Sequence, residues 1–468
     1  MSGIVSYGVY LPYWRLQRSA ITAALGTGGG RGTRSVASYD EDTTSMGAEA
    51  ARRALAAAPI GSAVQNLWFS TTSPAYADKT NATIIHAALA LPEEAGAYDM
   101  VGSVRSLVGA MSAASRGGTQ LAVVSDIRTG LPGGADESNG GDAAVAVCFG
   151  DRDIIAEIIG GASATAEFVD RWRAPGDGHS KQWEERFGEY AYLPLVQHAV
   201  ERALKGAGLE AGEVDHVVVS GLHQRAVKAV PRTIGVSPDV VVDDLSTVIG
   251  VPGAAQPLVG LAHCLDTAAP GATIAIVLLA DGCDVLLLRT TEALTAYRQR
   301  AAATVTDQVA ATRDDLAYAN FLTWRGQLHR EPPRRPEPER PAAPPSLRTS
   351  AWKYGLFGSR DEAGFVHLPP ARVSMESGAI DRMELVRMAD VRATIATFSV
   401  DRLAYSLSPP VVAAVIDFDG GGRFQCELTD TDPDTVRIGD RVEMTFRRLY
   451  TQDGIHNYFW KARPVQSS

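Results

Sequence analysis

One pattern occurs twice in this chain, and it limits the fold more than any other feature. Leu107-Val108-Gly109 is followed by a helical stretch, the pair Gly117-Gly118 and the apolar run Leu121–Asp126. Leu258-Val259-Gly260 is followed by a helical stretch, Pro270-Gly271 and the apolar run Thr273–Asp281. Each copy then leads into a second apolar run, Asp142–Phe149 in the first and Asp284–Arg289 in the second. Self-similarity on this scale predicts two related halves. The runs are too continuously apolar for half-exposed strands. They predict buried strands alternating with helices in α/β layers.

Within the first copy, Tyr98–Met111 reads as a strand end, a tight turn and a helix. Gly102 frees the turn, Ser103 is the expected N-cap, and Leu107, Val108 and Met111 continue at helical spacing. A helix start of this kind carries unpaired backbone N–H groups and the positive end of the helix dipole, which favour a thiolate. No cysteine occupies it. The pseudo-symmetric mate of this turn is Val251–Pro257.

The length of 468 residues allows two or three domains, and 45% hydrophobic with 21% charged residues is ordinary for a folded chain. The net charge of −10 argues against a general nucleic-acid binder. Four scattered cysteines (Cys148, Cys264, Cys283, Cys426) without a CxxC pair fit a reducing cytoplasm and no disulfide frame. The opening residues lack a basic, then apolar leader, and no apolar run reaches the roughly 18 residues of a membrane span. The glycine-rich loop Gly26–Gly32 has no GK[ST] and no strand directly before it, so it does not predict a phosphate cradle. Residues 292–330 are polar and helical, with a helix expected over Asp314–Trp324. Glu331–Pro345 is dense in proline and charge, as in a semi-rigid linker. Beyond it, Val391–Val400, Val411–Asp417, Phe424–Leu428, Arg441–Arg447 and Tyr458–Arg463 read as five short strands, the pattern of a small OB-type barrel.

Gly3–Pro12, Tyr39-Asp40-Glu41-Asp42-Thr43 and Tyr76–Thr83, together with the two-half layout, resemble the 3-hydroxy-3-methylglutaryl-CoA synthase-like proteins of the thiolase superfamily, over about residues 1–290. The remainder, from Lys353–Arg360 through His367–Pro370 into the barrel, is similar to the OB-fold domains with a zinc ribbon that accompany thiolase-like proteins and are thought to bind acyl-CoA. The resemblance implies a duplicated five-layered thiolase fold followed by an all-β OB-fold module. Residues 1–165 and 166–292 are then the two halves. Residues 293–350 are the helical segment and linker, 351–390 a degenerate zinc ribbon, and 391–468 the OB-fold domain. It also implies a CoA or acyl-carrier thioester as substrate, no permanently bound cofactor and a homodimer.

The departures from the family are as specific as the matches. The family's cysteine falls on Val104, its glutamate on Thr72 and its asparagine near Val251; its histidine is retained as His223. Ser103 is the nearest hydroxyl to the missing thiol and is the alternative nucleophile. His223 can serve as a general base or an oxyanion donor, or be a satisfied polar residue at a strand end. Tyr76 can supply a proton or simply pack. Arg105, Lys79 and Lys228 can meet CoA phosphates or a substrate carboxylate, or be solvated charges. Arg173, beside Trp172, and Arg186, in Arg186-Phe187-Gly188, match a segment near the family's CoA tunnel. Asp142 and Asp281 read as structural caps. Cys264 reads as a buried hydrophobe, and Cys283 lies in the turn Ala280–Cys283. The zinc-ligand positions fall near Arg360 and Ala363 and on Ser374 and Ser377, so no metal is expected. The residues leave three functions open: an acyltransferase or synthase, a cysteine-independent retro-aldolase on β-hydroxyacyl-CoA, and a non-catalytic acyl-CoA-binding scaffold.

Overall fold

The structure is a computed structural model that describes residues 2–301, 303–334, 336 and 338–465. Arg335 and Glu337 of the expected linker lie outside the described residues. The chain divides into two compact units. The first comprises Met1–Ala37, Ala50–Ala82 and Glu93–Tyr318. The second comprises Ser38–Glu49, Thr83–Pro92 and Ala319–Ser468.

In the first unit, nine strands among the described residues make one mixed sheet. They are β1 (Gly3–Tyr10), β2 (Asn66–Thr71), β3 (Gly96–Val101), β4 (Gln120–Ile127), β5 (Asp142–Gly150), β6 (Ala156–Thr165), β7 (His216–Gly221), β8 (Thr273–Leu279) and β9 (Gly282–Thr290). Their order is β7-β8-β9-β6-β1-β5-β4-β2-β3. By pairing, β6 opens the second half of the sheet, ahead of the expected boundary at residue 165, and the two halves of the sheet meet at one registered strand pair, Ile4 with Ala156. Inside each half the pairing repeats. β2–β4 is parallel, then β4–β5 and β5–β1 are antiparallel. β7–β8 is parallel, then β8–β9 and β9–β6 are antiparallel. The mate of β3 has shrunk to one parallel bridge, Val217 with Val241. The duplication read in the sequence is therefore present strand for strand, except at that edge.

Four helices matter for the site: α1 (Ser106–Ala114), α2 (Glu185–Ala207), α3 (Gln224–Ile234) and α4 (Gln256–Leu265). α1 and α4 are the equivalent helices of the two halves. Leu107 and Met111 of the first share one buried cluster with Leu258, Leu261 and Leu265 of the second and with strand residues of both halves. α2 and α3 cover the other face of the second half, where Val196, Ala203, Val227 and Val230 pack on Val217, Val277 and Leu287. Burial of large aliphatic side chains on this scale, at about 25 cal/mol per Å² of apolar area, is the dominant stabilising contribution.

Ser103 does not cap α1. Gly102 takes φ of +113°, the chain makes a tight turn in which Ser106 N–H bonds Ser103 C=O (3.1 Å), and the helix starts only at Ser106. The expected helix over Asp314–Trp324 is confined to Tyr318–Trp324.

The second unit holds β10 (Phe357–Asp361), β11 (Val366–His367) and β12 (Met383–Arg387) in one small sheet. A closed barrel follows, of β13 (Ala393–Asp401), β14 (Val411–Phe418), β15 (Arg423–Leu428), β16 (Arg441–Gln452) and β17 (Ile455–Pro464). Strict alternation along β15 sends Phe424, Cys426 and Leu428 inward, as period-2 patterning requires. Ser38–Glu49 belongs to this unit through charge. Arg447 bridges Asp40 (3.4 Å), Glu41 (2.9 Å) and Asp430. Lys461 bridges Asp40 (2.9 Å) and Glu427 (2.8 Å), and Arg463 bridges Glu49 (3.2 Å).

Candidate functional site

A cavity of about 280 Å³ opens in the first unit where strands of both halves end. Its lining includes Thr72 just past β2, the turn Gly102-Ser103-Val104, Arg128 just past β4, and Ala280-Asp281 in the turn from β8 to β9. Asp170–Arg173, in the connection from β6 to α2, and Tyr192 of α2 complete the wall. The turns at Gly102 and Ala280 thus converge with the segment of Trp172 and Arg173 that the resemblance singled out.

Val104 is buried, and its side chain stands at the cavity where a thiol was expected. The backbone N–H groups of Ser103 and Val104 donate to no backbone acceptor within the described residues, so the turn offers two donors ahead of α1. Ser103 Oγ is exposed and, among the described residues, bonds only Ser106 Oγ, at 3.4 Å. Among the described residues no imidazole or carboxylate hydrogen-bonds it to activate it as a nucleophile. The buried thiols offer no substitute: burial pushes Cys264 and Cys283 each up to about 12.

His223 caps α3, and its Nδ1 accepts the Ala226 N–H at 3.1 Å. The neutral ring therefore carries its proton on Nε2. His223 is only 2% exposed and stands behind the cavity wall rather than in it. In front of it are Tyr192, with ring centroids 5.9 Å apart, and Asp170. Gly188 of α2 lets them gather. A methyl group there would lie 2.5 Å from His223 Nε2 and 2.9 Å from Asp170 Oδ1.

Asp170, like Tyr192 and Arg128, is a lining residue that sequence reasoning missed. It is 5% exposed, Tyr192 donates to its carboxylate, and its Oδ1 is buried without a hydrogen-bond partner. Burial raises its pKa, against the opposing charges of His223 and Arg171. A carboxylate with one unsatisfied oxygen, raised affinity for a proton and a place on a cavity wall can take up and return a proton. Asp281, also in the wall, has its pKa raised by burial as well. Its neighbour in the expected capping role, Asp142, is structural. It accepts from Ala37 N–H at 2.7 Å and Arg128 N–H at 3.0 Å, and pairs with Arg34 at 3.3 Å.

The other sequence candidates separate into those at the cavity and those away from it. Arg173 lines it and donates to the Thr72 carbonyl oxygen. The Arg105 guanidinium is committed to Asp284 (2.7 Å), the Asp281 carbonyl (2.7 Å) and Thr165 (2.8 Å). Tyr76 and Lys79 face each other, Nζ lying 5.9 Å from the ring centroid, outside the lining. Lys228 on α3 and Arg186 on α2 are exposed. Val251 is buried and bridges Gly140. Thr72 Oγ1 bonds Asp126 at 2.8 Å.

In the second unit, the expected zinc-ligand serines are hydrogen-bonded to a carboxylate. Ser374 and Ser377 donate to Asp361 Oδ2 at 2.7 and 2.6 Å, while the Ala363 and Phe365 N–H groups bond Oδ1. The two hydroxyls hold the Asp361 carboxyl down at about 2. Among the described residues no group of three His, Cys, Asp or Glu side chains is placed to hold a metal ion.

Comparison with known proteins places this geometry. The hydroxymethylglutaryl-CoA synthase of Methanothermobacter thermautotrophicus is 28% identical over 345 residues, 70% of this chain and 99% of that protein. That of Thermococcus sibiricus is 29% identical over 341 residues, 69% of this chain and 96% of that protein. Over most of its length the chain is thus similar to hydroxymethylglutaryl-CoA synthases. A crystal structure of HMG-CoA synthase complexed with CoA matches with a TM-score of 0.58 at 16% identity, over 68% of this chain and 89% of that one. MvaS in complex with 3-hydroxy-3-methylglutaryl coenzyme A matches with 0.57 at 18% identity, over 82% and 99%. These likenesses show the fold, the thiolase type that the repeat and the resemblance led us to expect. Residues 385–447 match the family model described as the ChsH2, C-terminal OB-fold domain, a range that holds most of the barrel strands. No helix among the described residues is long and apolar enough to cross a membrane.

Proposed function

We propose that the chain is an enzyme of carbon–carbon bond chemistry on a CoA-type thioester, a synthase in one direction and a retro-aldol lyase in the other, working without an acyl-enzyme. The observation that carries this is the pairing of Val104 at the nucleophile turn with a proton-accepting Asp170 in the same wall. Support for the substrate class comes from the similar hydroxymethylglutaryl-CoA synthases and from fold neighbours solved with CoA and 3-hydroxy-3-methylglutaryl coenzyme A.

In the cleavage direction, Asp170 takes the proton of the β-hydroxyl, and the Cα–Cβ electron pair moves into the thioester as an enolate. The β-carbon leaves as a carbonyl, and Asp170 returns the proton to Cα, so the atoms balance with no added cofactor. The free N–H groups of Ser103 and Val104 are the donors for the enolate oxygen; removing one such donor from an oxyanion site costs about 2.7–4 kcal/mol of activation free energy. His223 is a positioning residue here. It acts through Asp170, beside which it packs against Gly188. On this reading the chain works in the cytoplasm, and as a homodimer, as the thiolase-type fold does by resemblance.

The test is turnover of a panel of β-hydroxyacyl-CoA esters with mass spectrometry of the protein. We expect Asp170→Asn to lose at least 100-fold in kcat. Ser103→Ala should keep full activity, and His223→Gln should shift the pH profile as well as lower the rate. An acyl adduct on Ser103 that forms and decays during turnover overturns the non-covalent reading.

A further inference from the structure

Arg105 follows Val104 directly, so its backbone belongs to the donor turn while its side chain leaves for the second half of the sheet. Each nitrogen of its guanidinium is engaged there. Nε donates to Asp284 Oδ2 at 2.7 Å, Nη1 to the Asp281 carbonyl oxygen at 2.7 Å, and Nη2 to Thr165 Oγ1 at 2.8 Å. Nη2 also reaches Asp284 Oδ1 at 3.3 Å, so the carboxylate is held by both its oxygens. Ser163 Oγ donates to the same Oδ1 at 2.6 Å, and the Asp284 side chain is almost closed to solvent. The fork therefore ties the turn before α1 to the end of β6, to β9 and to the turn between β8 and β9. A guanidinium spent in this way has little left for a CoA phosphate.

The β8–β9 turn is the part that needs holding. Asp281 has φ of +46° and Gly282 φ of +136°, and a residue other than glycine rests in the left-handed region only where its surroundings fix it. Two contacts fix Asp281. Its C=O accepts from Arg105, and its N–H donates to the Tyr192 hydroxyl at 3.4 Å. The packing leaves no slack. A methyl group at Gly282 would lie 2.3 Å from the Ala164 carbonyl oxygen and 3.0 Å from Arg105 Nη1. The Tyr192 hydroxyl in turn donates to the Asp170 carboxylate. One chain of contacts thus runs from the Ser103–Val104 turn through Arg105, the Asp281 backbone and Tyr192 to Asp170. Its two ends are the oxyanion donors and the proton acceptor of the proposed reaction.

We infer that Arg105 is a positioning residue, which sets the Ser103–Val104 donors at a fixed separation from Asp170 through the Asp281 backbone and Tyr192. This deepens the carbon–carbon bond reading and rests on it.

Steady-state kinetics of the full chain test it, on the β-hydroxyacyl-CoA ester that the wild type cleaves fastest. Arg105→Lys keeps a cation beside Asp284 but lacks the planar fork that meets three partners together. It should lose about ten- to a hundred-fold in kcat, as a small misplacement of reacting groups does, with KM within about three-fold of the wild type. Tyr192→Phe breaks the same chain further along, so the double variant should be little slower than the slower single one. Full kcat in Arg105→Lys overturns the inference. So does a KM that rises while kcat is kept, the result that a contact with CoA itself would give. Losses that multiply in the double variant overturn it as well. Each of these leaves the carbon–carbon bond reading standing, whereas no turnover by the wild type, or full activity in Asp170→Asn, overturns both. If Arg105→Lys does not fold, Thr165→Val decides. It removes one acceptor of the fork and should lower kcat about three-fold or more at unchanged KM; unchanged kcat overturns the inference.

Discussion

Asp170, Gly188 and His223 come from three separate stretches of chain, and their chemistry exists only once they meet. The pKa of Asp170 is raised by burial, so its base form is lost on acidification above the usual carboxylate range of about 3.9. Activity should therefore fall as pH drops through that raised value, and the residual activity of Asp170→Asn should lack this acid limb; pH–rate profiles of the two proteins check it. Gly188→Ala tests the geometry. Its methyl would sit 2.5 Å from His223 Nε2, so the variant should remain folded by circular dichroism while losing most of its kcat. At this scale the sequence revealed what motif position can reveal, namely His223, Val104 and Thr72. It did not reveal Asp170, Tyr192 or Arg128. Nothing in the local pattern Phe168–Arg173 marks a buried carboxylate, and Asp126-Ile127-Arg128 looks like an ordinary strand end. Burial and missing partners are properties of the folded chain.

Strands were easier to read than helices. The apolar runs of β4, β5, β8 and β9 and the alternation of β15 follow directly from period and continuity. α2, at 23 residues, was missed because Pro194 and Gly188 interrupt its pattern. The N-cap assigned to Ser103 failed for a related reason. Local preference favours serine ahead of a helix, but the positive φ of Gly102 makes a tight turn that delays the helix to Ser106. In the small sheet, Asp361 has become the centre that the degenerate ligand positions surround, with hydroxyl and amide donors filling both its oxygens. Two consequences follow for β10–β12. The melting temperature should be the same with EDTA as with added zinc. Asp361→Ala should lower it, since four donors lose their acceptor together; differential scanning calorimetry reads both.

At the scale of the whole molecule, the second unit is held to its early segment by buried charge. The side chains of Arg447 and Asp40 are completely buried. Arg447→Ala leaves Asp40 and Glu41 without that cation and should cost about 3–5 kcal/mol, measured as a shifted urea midpoint. Burial pushes the Asp40 carboxyl up, but Lys461 and Arg447 outweigh it and hold the group well below its ordinary range. A carboxyl depressed on folding adds stability that is complete above its unfolded value of about 3.9 and is lost as pH falls below it. Unfolding should therefore steepen below about pH 4 in the wild type and less so in Asp40→Asn. The sequence offered Tyr39-Asp40-Glu41-Asp42 as a family motif, but its physical meaning lay in cations some 400 positions away. Asp40 and Arg447 are 407 residues apart. That separation sets a schedule for the growing polypeptide. At about 5–20 residues per second, a ribosome needs roughly 20–80 s to make the intervening chain. For that time the acidic segment stays hydrated and unpaired, and the unit can close only when the last barrel strands clear the exit tunnel.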